Sequence, residues 1–146
     1  MLPSRSTDDP SDRGSASLEF LAAGLILLVP IVYLVVALGA VQNAALGTEA
    51  TARFVARTVA SGAEVTPELV RESVADAYGL DAATLEMSID CVPAAADCPA
   101  AGTTIVVTVG NTAPLPLVPE IFGLAEAMSI PVDATSVYRV ERLAEG

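Results

Sequence analysis

The 146-residue chain contains no histidine, no lysine and no tryptophan. Without histidine it lacks the commonest general base and the commonest metal ligand, so most hydrolase and metalloenzyme templates are excluded. Seven basic residues, all arginine, face 18 acidic residues, and the net charge is −11. Such a chain suits neither nucleic acid nor electrostatic adhesion to anionic lipid, because both need clustered positive charge. We therefore expect no catalytic residue, no metal ligand, no cofactor and no nucleic-acid partner.

Charge is also missing from one long segment, residues 20–48, which is rich in Leu, Ile, Val and Ala. Hydrophobic residues make up 53% of the chain and its mean hydropathy is +0.58, which is unusual without a membrane segment. A helix that crosses a bilayer needs about 20 apolar residues, so the run predicts one transmembrane helix that anchors the chain in membrane lipid. Arg5 and Arg13 precede the run, and this flank predicts a cytoplasmic N-terminus. Pro30 interrupts the run, where it should loosen one helical turn.

The order of segments predicts three parts. Residues 1–14 are polar and rich in Ser, Asp and Pro, and they are expected to form a disordered cytoplasmic leader. Residues 15–62 are expected to form the transmembrane helix with an amphipathic extension, in which Glu49 and two arginines repeat every four residues. Residues 63–146 are expected to form a small extracytoplasmic α+β domain.

The expected domain begins with a helix that has clear start and stop signals. Thr66 is the predicted N-cap, Pro67 and Glu68 belong to the first turn, and Gly79 follows the last turn. The apolar residues of this helix predict a buried stripe, which comprises Leu69, Val70, Val74 and Ala77.

Three alternating segments predict a small antiparallel sheet covered on one side by the helices. The predicted strands are Leu85–Val92, Thr103–Val109 and Val132–Arg142. The connection between the last two strands contains several prolines, which disfavour a strand, and one helical turn is expected at Glu120–Met128. The fold class is therefore α+β and membrane-anchored, with one long N-terminal helix, a second helix and about three strands.

The only cysteines, Cys91 and Cys98, enclose a loop of six residues. In a domain outside the membrane a disulfide is the favoured interpretation. A redox-active pair is disfavoured because the spacing is not C-x-x-C. Two cysteines without histidine also make a zinc site unfavourable.

Three interpretations of the N-terminal stretch "RGSASLEF" remain open. The apolar run could be a secretory signal removed near residues 37–40, although it is about twice as long as a usual signal core. It could be an ordinary single-pass anchor with Glu19 at headgroup depth, where a carboxylate costs little. It could also follow a prepilin-type leader.

The third interpretation depends on a resemblance to type IV pilin precursors, which have a short charged leader ending in glycine and a glutamate five residues further on. Gly14 would precede the cleavage site, Ser15 would be the new N-terminus, and Glu19 would be the glutamate of this pattern. Phe20 stands where small Flp-class pilins have tyrosine, which argues against the major pilin itself. The resemblance implies that the amino group of Ser15 faces Glu19 of a neighbouring subunit, because such a carboxylate is tolerable when it meets a cation.

The order of the segments after the leader resembles TadE-like proteins of the tight-adherence (Tad/Flp) pilus machinery. The segments that carry the resemblance are "LLVPIVYLVV", "VQNAALGTEATARFVA", "TTIVVTVGNTAPLPLVPEIFG" and "ATSVYRVER". The resemblance implies a non-catalytic minor pilin or pseudopilin, processed by a prepilin peptidase, whose partners are other pilins and membrane proteins of pilus assembly. A membrane-anchored binding module unrelated to pili is the alternative function, and a small secreted domain is its variant.

Small residues recur on one side of the long helix, where they would permit close helix packing. The candidates are Ala37, Ala40, Ala44 and Gly47, followed by Thr51. The alanine-rich composition of the chain explains the same pattern equally well.

Overall fold

The structure, a computed structural model, describes residues 11–94, 98–118 and 127–141, with side chains from residue 16 onward. It divides into two compact units, Met1–Val36 and Ala37–Gly146. We call residues 16–36 the apolar segment and residues 37–141 the domain, and each is described by itself. The elements confirm the predicted α+β class, with helices α1 and α2, a short 3-10 helix and three strands.

Helix α1 comprises Ser11–Ser61, and Pro30 lies inside it. It begins before the predicted boundary at residue 15, so the last four residues of the expected leader are helical, while residues 1–10 lie outside the described part. In the apolar segment every side chain is exposed except that of Tyr33, which is half-buried. By length and composition this is a helix that could cross a membrane.

Helix α2, Pro67–Tyr78, confirms the predicted start and stop signals. The hydroxyl of Thr66 accepts a hydrogen bond from the backbone N–H of Leu69 at 3.4 Å. Gly79 follows with φ of 64°, in the left-handed region that favours glycine. These two caps satisfy backbone groups that the helix itself leaves unpaired.

The predicted buried stripe of α2 is wrong at two of its four positions. Leu69 is 56% exposed and Ala77 is exposed, whereas Ala75 is fully buried and Val70 and Val74 are half-buried. Apolar residues occur around most of the circumference of α2, so periodicity alone does not select the side that faces the core.

The sheet consists of β1, Glu86–Val92; β2, Thr104–Pro114; and β3, Ser129–Arg139. The order is β1-β2-β3 with both pairs antiparallel, and Ile89 lies opposite Val107, which in turn lies opposite Ser136. The three predicted strands are confirmed, but β2 and β3 extend further into the proline-containing connection than expected. The helical turn expected at 120–128 falls mostly outside the described residues.

The prolines are accommodated because the extension of the sheet has only two strands. Pairing of β1 with β2 ends at Gly110, so residues 111–114 of β2 pair only with β3. Pro114 is the last residue of β2, and Pro131 belongs to β3, an edge strand, where a missing backbone N–H is tolerated.

One hydrophobic core joins the C-terminal half of α1 to one face of the sheet. Val55 of α1 and Val107 of β2 are both completely buried in it, together with Ala75 of α2. The alternation along β2 puts its buried side chains on this face. The opposite face remains open in the described chain, and its Val137 is 61% exposed.

Candidate interaction surfaces

The residues of the predicted processing site all lie on α1. Gly14 and Ser15 belong to its first two turns, and Glu19 is an exposed residue at the start of the apolar segment. The side chains beyond Glu19 are apolar and exposed, for example Phe20 at 79% and Leu27 at 68%. An exposed apolar surface around a whole helix suits lipid or other apolar helices. The predicted cleavage after Gly14 remains a prediction.

Part of the small-residue row on α1 is used inside the domain. Ala44 and Gly47 are buried, while Ala37 and Ala40 are half-buried. A Cβ added at Gly47 would collide with the side chain of Leu80 and would lie 3.1 Å from Cβ of Tyr78. Glycine at this position therefore allows the chain after α2 to approach α1 closely. Ala44 and Gly47 already have neighbours in their own chain.

Polar contacts hold the same region together. The Asn43 side chain donates a hydrogen bond to the carbonyl of Tyr78 at 2.9 Å. The Thr84 hydroxyl donates to the side-chain oxygen of Asn111 at 3.0 Å, and Asn111 is buried. These bonds satisfy polar groups beside the core, as buried polar side chains require.

Cys91 and Cys98 form a disulfide with their Cα atoms 6.1 Å apart, within the usual range. Cys91 is near the end of β1, so the bond ties this edge strand to the loop that follows it. The pairing agrees with the sequence-based interpretation. A loop of this length corresponds to a stabilisation of roughly 2 to 3 kcal/mol on the chain-entropy account.

A groove of about 530 Å³ lies between α1 and α2. Phe54 of α1 is 54% exposed there, and Val65 and Leu69 are 45% and 56% exposed. Thr58 lines the same end of the groove as Val65, whereas Gly47 contacts Tyr78 at the other end of α2. The two helices are therefore antiparallel and the groove runs along α1.

The two long edges of this groove carry opposite charges. On α1 the basic edge consists of Arg53 and Arg57, which lie beside Phe54 and line a neighbouring pocket together with Phe54 and Tyr78. On α2 the acidic edge has exposed carboxylates every four residues beside Leu69, namely Glu68, Glu72 and Asp76. Glu49 forms an ion pair with Arg53. Arg57 has no ion pair among the residues that the structure describes.

Sequence reasoning did not identify this groove. It assigned Leu69 to the core and did not single out Phe54, although an aromatic residue between two arginines on a helix is a usable signal. Within residues 16–94, 98–118 and 127–141 there is no group of three or more His, Cys, Asp or Glu side chains placed to hold a metal ion.

Compared with protein-family models, with curated proteins and with solved structures, the chain matches none of them.

Proposed function

We propose that the protein is a TadE-like minor pilin or pseudopilin, a non-catalytic single-pass membrane protein that takes part in assembly of a Tad/Flp-type pilus or related secretion machinery. Its N-terminus is cytoplasmic, and residues 63–146 form its extracytoplasmic part. Its partners are other pilins, pilus assembly proteins of the membrane, and a prepilin peptidase that cleaves between Gly14 and Ser15.

The observation that carries the proposal is the division of α1 into two chemically different halves. The apolar segment exposes its side chains all round, with Glu19 at its start, whereas the half within the domain contributes Val55 to the core. One continuous helix therefore serves both as a candidate span and as a structural element of the domain. This arrangement suits a subunit that assembles through contacts of its N-terminal helix and carries a small domain at the other end of that helix.

The alternative is a membrane-anchored binding module that never enters a pilus. It shares the apolar segment and the disulfide, so neither feature separates the two functions. Processing separates them, because only the pilin interpretation requires cleavage after Gly14. A secreted domain would instead be cut near Ala40, within the unbroken helix α1.

Intact-mass measurement of the full chain, co-expressed with a prepilin peptidase, tests the proposal. We expect a product that begins at Ser15, and Gly14→Phe should abolish it without preventing membrane insertion. Ala23→Phe is a matched control because it adds the same bulk away from the predicted site. An unprocessed wild-type chain would contradict the proposal, and a product beginning near Ala40 would establish a signal peptide instead.

Glu19→Gln tests the pairing role of the carboxylate. Loss of a charge partner for the new amino group should reduce assembly at least about tenfold, equivalent to ~1.4 kcal/mol. Insertion and cleavage should stay unchanged. Pilus levels per cell are the measurement, and Glu49→Gln, in the part of α1 that belongs to the domain, is the control. Wild-type pilus levels in the Glu19 variant would exclude the pairing role.

A further inference from the structure

The groove between α1 and α2 leaves a contiguous set of apolar side chains exposed. Phe54 and Leu69 are each more than half exposed, although they come from different helices and line the same groove. Isolated exposed apolar residues are ordinary, but a contiguous set with polar edges marks an interaction surface. Among the described residues, nothing fills this groove.

The charges on its edges indicate what fits there. The partner must place negative charge against Arg57 and against Arg53, which already pairs with Glu49, and positive charge against the carboxylates of α2. A second copy of the same groove carries both rows at the required separation. Net charge of −11 opposes association of two copies at long range, so the apolar floor must supply attraction while the edges select orientation.

Only one of the two possible two-fold arrangements matches opposite charges. A two-fold axis along the groove places the basic edge of each copy against the acidic edge of the other. An axis across the groove would place like edges together, which costs free energy. Because the groove runs along α1, the favourable axis keeps the N-terminal ends of residues 37–61 at the same end in both copies.

We infer that the groove is a self-association surface, in which two copies of the chain dock groove to groove about an axis along α1. Phe54 and Leu69 are buried at its centre, and the basic and acidic edges pair reciprocally. The charge argument is independent of the proposed function. The parallel direction of the two chains is also the one that two copies anchored in one membrane require, and this point alone rests on the proposed function.

Cysteine cross-linking of the full chain in native membranes tests the arrangement. Ser73 is exposed and lines the groove along which the proposed axis runs, whereas Ser88 is exposed on the open face of the sheet. Under mild oxidation, Ser73→Cys should form at least about ten times more cross-linked dimer than Ser88→Cys. Equal yields from the two variants would overturn the inference.

Charge reversal tests the pairing of the edges in the Ser73→Cys background. A variant with two acidic edges, made by Arg53→Glu with Arg57→Glu, and a variant with two basic edges, made by Glu68→Arg, Glu72→Arg and Asp76→Arg, should each cross-link to themselves at least about tenfold less. Co-expression of the two differently tagged variants should restore a mixed dimer. Absence of the mixed dimer would overturn the inference even if each variant folds normally.

Two further outcomes would also overturn it. If Phe54→Asp disrupts pilus assembly while Ser73→Cys never cross-links to itself, then a different protein occupies the groove. If removal of residues 142–146 is needed before Ser73→Cys cross-links, then the C-terminus of the same chain occupies it. Cleavage after Gly14 is measured independently, so failure of the proposed function and failure of the groove are distinguishable.

Discussion

The two halves of α1 have the same backbone conformation and opposite surface chemistry. In the apolar segment the exposed residues are apolar on every side, and no charge follows Glu19. In residues 37–61 the helix is one-sided, with Val55 completely buried and Arg53 exposed on the other face. A helix that is apolar all round needs an apolar environment on every side, whereas a one-sided helix needs only one packing partner.

The exposed fraction of a side chain does not by itself reveal whether the side chain faces lipid or water. Ile31 in the apolar segment and Phe54 in the domain are 53% and 54% exposed. Equal exposure has different meaning in the two places, because Ile31 is proposed to face hydrocarbon, whereas Phe54 lies in an aqueous compartment where a second copy is proposed to cover it. Substitutions made in matched pairs, one in each half, measure this difference directly.

The largest difference is expected for aspartate at these two matched positions. Ile31→Asp places a carboxylate near the centre of the proposed span, which costs roughly 2.5 to 3.5 kcal/mol and reduces insertion by a factor of about 100. Phe54→Asp should leave insertion unchanged. Resistance of the protein to alkaline extraction from membranes is the measurement, and equal resistance of both variants would remove the distinction between the halves.

A smaller difference is expected for truncation of a valine. Val55→Ala removes two methyl groups from a fully buried site and should lower the free energy of unfolding of the domain by about 2 kcal/mol. Val35→Ala, at a site 61% exposed in the apolar segment, should not change it. Hydrogen exchange of the β2 amides in the full chain reports this free energy. Equal protection in the two variants would show that Val55 does not support the sheet.

The smallest difference is expected for the two glycines. Gly47→Ala gains helix propensity of about 1 kcal/mol but forces overpacking against Leu80 and Tyr78, which costs roughly 1 to 3 kcal/mol. The net expectation is a loss of about 1 kcal/mol in domain stability. Gly24→Ala meets no neighbouring atom within 4 Å, so no loss is expected. The same exchange measurement applies, and a stabilised Gly47→Ala variant would contradict the close approach.

The elements that were predicted correctly depend on residues close in sequence. Thr66 and Gly79 are the caps of α2 because of the groups within one turn of each residue. The alternation around Ile105 and Val107 likewise identified β2 and its inner face. A disulfide is the favoured interpretation because the chain has only two cysteines and their domain is expected to lie outside the membrane. Orientation in the membrane and cleavage after Gly14 remain predictions.

The wrong predictions concern residues whose burial or strand pairing depends on a distant part of the same chain. Leu69 is predicted to be in the core because it is apolar and helical, yet it is 56% exposed and Ala75, on another side of α2, is the buried residue. The extent of β2 was underestimated because proline disfavours strands in general. The end of β1 pairing at Gly110 leaves a two-stranded region in which Pro114 and Pro131 are tolerated.

The apolar run, the caps, the strand alternation and the class of the fold are readable from the sequence, because each depends on short-range hydropathy, dihedral preference or capping. The folded chain is needed to find that Gly47 lies against Tyr78 and Leu80, and that Phe54 and Leu69 line one groove. These contacts join residues that are distant along the chain. Their formation depends on how close α1 and α2 approach, and no local pattern encodes that distance.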